Sequence, residues 1–303
     1  MIVAELKDRE LADLLAGPGL RLRTGPIVTR IQSHLPEVAR GVALHYAAHP
    51  VETPEGFADF HVRIAPPRNL RRWLRPQVLF QFDGAPPFLP LPADQAFPIL
   101  EWGLNWCVSA HYHRHFILHA AVVERSGGAL LLPAPPGSGK STLCAGLLSR
   151  GWRLLSDELA LIDPATGDVV PLPRPVSLKN ASIEVIARFA PGAVLGPTVR
   201  DTLKGSVAHM TPPVDSVRRA SEPARPRWVV LPRYEAGAAL RLEPLPRGRA
   251  FMQLVDSAFN YHLYGREGFE VLARMVETCA CYQLAYGDLE DAVRACADLA
   301  TGA

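Results

Sequence analysis

The sequence predicts an α/β protein in which a mixed-sheet core, residues 113–303, follows a smaller β-rich unit, residues 1–112. Three observations carry this. The 303 residues are 48% hydrophobic, enough for one large core or two moderate ones. From Phe116 onward, short apolar runs alternate with stretches of helical periodicity. Before residue 112, short alternating runs are separated by proline and glycine turns such as Asp83-Gly84-Ala85-Pro86-Pro87.

In the first unit, the β-rich or alternating runs are Leu20 to Ile31, Gly41 to Ala48, Phe57 to Ile64 and Pro76 to Phe82. A helix from Asp94 to about Tyr112 closes it, because Phe97, Leu100, Leu104 and Val108 share one face. The core then opens with strands at Phe116 to Glu124 and Gly128 to Pro133, followed by a helix from Ser141 to Arg150. A strand over Arg153 to Asp163 ends in the turn Asp163-Pro164-Ala165-Thr166-Gly167, and a helix spans Ser182 to Phe189. Residues 191 to 226 are rich in proline and glycine and are expected to hold little regular structure, moving freely until a ligand orders them. A strand at Trp228 to Pro232, helices at Arg249 to Leu263 and Glu267 to Cys279, a strand at Cys281 to Tyr286 and a helix from Leu289 to Leu299 complete the chain.

The most specific stretch is Ala134-Pro135-Pro136-Gly137-Ser138-Gly139-Lys140-Ser141, lying between a predicted strand and a predicted helix. Successive N–H groups of a glycine-rich turn, with those of a helix's first turn, form a cradle for phosphate oxygens. Pro136, Gly137, Ser138, Gly139, Lys140, Ser141 and Thr142 are thus candidate nucleotide-binding residues, with Lys140 on the β and γ phosphates and Ser141 on Mg²⁺. The first motif position is Ala134 rather than glycine, which an ordinary backbone angle tolerates. Only four of the 32 basic residues are lysines: Lys7, Lys140, Lys179 and Lys204. Where arginine is the default cation, a lysine suggests that a compact point charge was wanted, so Lys179 and Lys204 join the candidates.

Composition excludes little else. A net charge of +2 implies no strong attraction to nucleic acid or anionic membranes. The five cysteines show no zinc-type spacing and read as buried thiols of a reducing compartment. The charged first residues lack a signal-peptide pattern, and no run approaches the ~18 consecutive apolar residues of a membrane helix, so a cytoplasmic protein is expected.

Leu118-His119-Ala120-Ala121-Val122-Val123-Glu124, the glycine-rich loop, and Arg150-Gly151-Trp152-Arg153-Leu154-Leu155-Ser156-Asp157-Glu158 together resemble the catalytic core of HPr kinase/phosphorylase. The stretches Leu172 to Asn180, Asp201 to Met210 and Ala224 to Trp228 bring the resemblance nearer to the branch called HprK-related kinase A. It covers roughly residues 116 to 290. The resemblance implies a phosphoenolpyruvate-carboxykinase-like P-loop core with a mixed sheet, and a serine kinase using ATP and Mg²⁺. His119 matches the family's histidine on the strand before the loop, Asp157 matches its first acid, and Glu158 replaces its second aspartate. The segment that marks true HPr kinases after the second acid is not recognisable, so neither HPr as substrate nor reverse phosphorolysis is carried over.

The residues suggest the same chemistry on their own. Phosphoryl transfer needs held phosphates, a metal and an acceptor for the hydroxyl proton. The expected catalytic set is therefore Asp157 as general base, Glu158 assisting, and Lys140, with Ser141, Asp157 and Glu158 as metal ligands; the resemblance adds His119 beside the γ-phosphate, in a catalytic or phosphate-orienting role. Asp163, at the end of the apolar run Leu159 to Ile162, is a rival metal ligand, although Asp163-Pro164 looks like the start of a turn. His111, His113 and His115 are expected to be structural or solvated, while Arg200, Lys204 and His209 sit on the supposed mobile loop. Arg68 to Arg75 is a basic patch expected to be a solvated face. The expected acceptor is a serine-type hydroxyl on a small protein or peptide, and a homo-oligomer is allowed for. A small-metabolite kinase and a non-transferase P-loop ATPase are the alternatives. No Asn-Lys-x-Asp of a GTPase and no Leu-Ser-Gly-Gly-Gln of a transporter ATPase occurs.

Overall fold

A computed structural model describes residues 1–53 and 55–302. Asp8–Ala16 (α1) opens the chain with Leu11 and Leu15 buried one turn apart, a helix that the alternation search passed over. Strands Leu20–Thr24 (β1) and Ile27–Ser33 (β2) form a hairpin where one β-rich run was expected. The next expectation was wrong: Gly41 to Ala48 is not a strand, because Pro36–His45 (α2) takes up its first five residues and a turn follows. Pro36 presets the first helical turn, and Val38, Val42 and His45 repeat at helical spacing on the buried face. Phe60–Ala65 (β3), Gln77–Phe82 (β4) and Leu91–Pro92 (β5) complete a five-stranded sheet in sequential order. Ala96–His111 (α3) packs against it, and ten of its sixteen residues are buried.

Phe116–Arg125 (β6) and Gly128–Pro133 (β7) start a larger mixed sheet. Along β6, Ala121 and Val123 face one core while Phe116, Leu118, Ala120 and Val122 face another; β7 alternates in the same way. Both faces are covered, which is why β7 reads as an unbroken apolar run. Lys140–Ser149 (α4) follows the glycine-rich loop. Arg153–Ser156 (β8) and Leu159–Ile162 (β9) lie along the same edge of β6, so the single expected strand is interrupted at Asp157 and Glu158. Val169–Val170 (β10) pairs with β9 across the Asp163 turn.

Val176–Lys179 (β11) leads into Ala181–Phe189 (α5). The region 191–226 corrects the sequence reading, for it is built. Val199–Thr202 (β12) and Gly205–Met210 (β13) join β11 in an antiparallel sheet of order β11-β13-β12, and Val214–Arg218 (α6) follows. Arg225–Tyr234 (β14) runs parallel to β7 at the centre of the large sheet. Arg241–Pro244 (β15) is an edge strand. The helix expected over 249–263 is two helices, Arg247–Asp256 (α7) and Tyr261–Tyr264 (α8). Arg266–Thr278 (α9), Ala280–Tyr286 (β16) and Leu289–Thr301 (α10) close the chain, with β16 parallel to β14.

The large sheet therefore lies between α4 and α10 on one face and α7 and α9 on the other. Its three parallel strands β7, β14 and β16 end together at the glycine-rich loop. Leu159, Leu161 and Leu172 also pack into the core under the N-terminal sheet, which makes the two units continuous at that point. All five cysteines are buried free thiols. Among the described residues, no helix is long and apolar enough to cross a membrane.

Candidate active site

The glycine-rich loop is held open by its own backbone. Gly137 and Gly139 have φ of 87° and 88°, a region that L side chains rarely enter. A Cβ on Gly139 would lie 2.4 Å from the Tyr286 hydroxyl, whereas one on Gly137 would meet nothing within 4 Å. The ends of the neighbouring parallel strands fix the loop: the Tyr234 N–H donates to the Ser138 carbonyl at 3.0 Å, and the Tyr286 hydroxyl donates to the Gly139 carbonyl at 3.3 Å. The first N–H groups of α4 have no partners within the helix, so donors converge where the strands end. The Ser138 hydroxyl is buried and unpartnered.

Beside the loop the sheet gathers the other candidates. β6 is antiparallel to β7 and brings His119 level with the loop; the interruption between β8 and β9 places Asp157 and Glu158 at the same end. His119 Nε2 is 2.8 Å from Lys140 Nζ and 3.1 Å from Glu158 Oε2. A single ring nitrogen cannot serve both: unprotonated it accepts from Lys140, and protonated it donates to Glu158. Glu158 also lies 3.9 Å from Lys140 and 3.7 Å from Lys179. Burial pushes the Glu158 carboxyl up, but the His119 hydrogen bond and the two lysines outweigh it and hold it below the usual carboxylate range. Lys204 stands over the Trp102 ring at 4.8 Å, and burial, with the charge of Lys179, lowers its pKa against the pull of Glu158.

Asp157 behaves in the opposite way. Its Oδ2 accepts the Ser177 N–H at 3.1 Å, and its Oδ1 is buried without a partner. Burial and the charge of Glu158 raise its pKa to about 6, against the pull of Lys140, the Ser177 N–H and the Ser141 hydroxyl. Two adjacent acids are thus driven apart, one kept ionised and one held near neutrality.

These residues were tested as a nucleotide and metal site. The open glycine cradle and the unpartnered donors fit phosphate oxygens. No group of three or more His, Cys, Asp or Glu among the described residues could hold a metal by itself. A Mg²⁺ that relies on phosphate and water oxygens needs only one or two protein ligands, and Ser141 with the unpartnered oxygen of Asp157 fits that description. Glu158, expected as a third ligand, is already occupied by His119, Lys140 and Lys179.

Other expectations fall elsewhere. Asp163 caps its turn by accepting the Ala165 and Thr166 N–H groups, away from the loop. His209, expected on a mobile loop, is 3% exposed on β13, and burial drives its pKa down to about 3. Arg200 lines a separate groove with Glu37 and Asp94. His111 stacks on Phe82 and His115 on Tyr112. The basic segment 68–75 is exposed.

Sequence reasoning missed Trp102, Asn105, Arg174 and Ser177, which reach the acids from α3 and from the approach to β11. The signal was α3 itself, since a helix apolar nearly all round must be covered on more than one side. A scan against protein-family models gives no match, and neither does a search of curated proteins.

Proposed function

We propose that the chain is an ATP-dependent kinase of the HPr kinase-like P-loop type that transfers the γ-phosphoryl group to a serine-type hydroxyl of a small protein or peptide. A cytoplasmic location accords with this reading. The observation that carries it is the convergence of the glycine-rich loop, the lysines Lys140 and Lys179, and an Asp157 with one unpartnered oxygen at one end of the sheet. ATP with Mg²⁺ would supply the phosphoryl group and neutralise its developing charge. Gly137 to Thr142 would hold the phosphates through backbone N–H groups, and Ser141 would hold the metal together with phosphate and water oxygens. Lys140, positioned by His119 and Glu158, is the point charge available to the transferring group. Asp157, near neutrality, takes the acceptor's proton; an acid with a pKa close to working pH is still ionised yet basic enough for that task. Replacing Lys140 by Ala should lower turnover roughly 10²-fold or more. Calorimetric titration with Mg-ATP and a phosphoryl-transfer assay test this, and an unchanged variant would overturn the assignment.

A further inference from the structure

Among the described residues, four of the ten buried side-chain polar atoms without a hydrogen-bond partner belong to residues that line one small cavity: Trp102 Nε1, Asp157 Oδ1, Ser177 Oγ and His209 Nε2. Asp157, Ser177 and His209 are each less than 10% exposed. Buried polar groups are nearly always satisfied, so four orphans around one space point to something polar that fills it. The cavity, about 20 Å³, has room for one water-sized group. Its wall is rigid, because Arg174 is tied to Glu101 at 2.7 Å and to Asn105 at 2.7 Å. Lys204 lies over the Trp102 ring at 4.8 Å, at the hairpin between β12 and β13.

We propose that this cavity is the acceptor pocket and that α3 of the N-terminal unit supplies its specificity-determining wall, through the Trp102 indole N–H and the Asn105 side chain. The proposal rests on the kinase reading above. The group that fits is a single hydroxyl, which donates to Asp157 and accepts from the Trp102 indole N–H, as the tip of a hydroxymethyl side chain does while the rest of its residue stays outside the cavity. In the transfer, the hydroxyl proton passes to Asp157 as the oxygen forms its bond to the γ-phosphorus of a nucleoside triphosphate. The bond from that phosphorus to the bridging oxygen breaks, and its electron pair leaves with the diphosphate. The N-terminal unit then serves to carry one wall of the acceptor site.

Nuclear magnetic resonance of the full chain tests this, using N-acetyl-L-serinamide as probe and N-acetyl-O-methyl-L-serinamide as control. The Trp102 indole N–H signal is assigned by its loss in Trp102→Phe. Should that variant fail to fold, Trp102→Tyr supplies the assignment by the same loss. With Mg-ADP present, the serine probe is expected to shift the Trp102 signal in a saturable way, with at least tenfold weaker binding of the methyl ether. Asn105→Leu should weaken binding of the serine probe by a similar factor. A Trp102 signal unmoved up to 100 mM probe, or moved equally by both probes, would overturn the proposal and leave the cavity to ordered water. Loop amides of Gly137 and Gly139 that do not respond to Mg-ADP would instead overturn the kinase reading on which it rests.

Discussion

Asp157→Asn should stabilise the folded chain increasingly as pH rises, while abolishing most of the proposed transfer. The Asp157 carboxyl sits at about 6 in the fold against 3.8 when free, because burial and Glu158 disfavour its ionised form. The folded state thus binds this proton more tightly than the unfolded state does. Stability from the group is fully present below pH 3.8 and is lost as pH rises through about 6. At 1.36 kcal/mol for each tenfold difference, the ionised carboxylate costs the fold roughly 3 kcal/mol at pH 7 and well under 1 kcal/mol at pH 4. Asparagine keeps an oxygen for the Ser177 N–H, but its amide nitrogen replaces the unpartnered Oδ1 at a constant cost of about 1–3 kcal/mol. That cost does not depend on pH, so it cancels from the comparison. Urea unfolding of variant and wild type, without nucleotide and with a chelator, should show their stability difference growing in the variant's favour by roughly 2–3 kcal/mol from pH 4 to pH 7. A difference that is flat or runs the other way would refute the reasoning.

Further consequences follow from the same physics. His45, His49 and His209 are buried, and burial holds their pKa values down at about 4, 4 and 3. Their contribution is present above the unfolded value of 6.5 and is lost as pH falls toward those values, so His209→Leu should flatten acid unfolding between pH 6 and 4, measured by circular dichroism. Gly139→Ala should weaken Mg-ATP binding far more than Gly137→Ala, because only its Cβ strikes Tyr286; calorimetry on Gly139→Ala with Tyr286→Phe should show partial recovery. Arg174→Ala strands Glu101 as a buried unpaired charge and should cost about 3–5 kcal/mol in urea unfolding, whereas removing both partners as Arg174→Met with Glu101→Leu should cost much less.

Local pattern was enough to read the parts of this protein that neighbouring residues decide. The strand, glycine turn and helix around Lys140 are consecutive in the chain, and so are the apolar run and acidic pair that end at Glu158. Periodicity could not separate the α2 helix from a strand, since its apolar positions satisfy both spacings over a short window and only Pro36 favours one. Proline and glycine between residues 191 and 226 suggested a mobile loop, yet pairing with Val176–Lys179 turned that segment into a sheet. Scarce lysines singled out Lys179 and Lys204 but did not say where they go. The approach of Lys179 to Glu158 and of Lys204 to Trp102, and the arrival of Trp102 and Asn105 beside Asp157, depend on contacts between segments separated by tens of residues. Such contacts are set by which faces must be buried together, a condition that only the assembled tertiary structure satisfies.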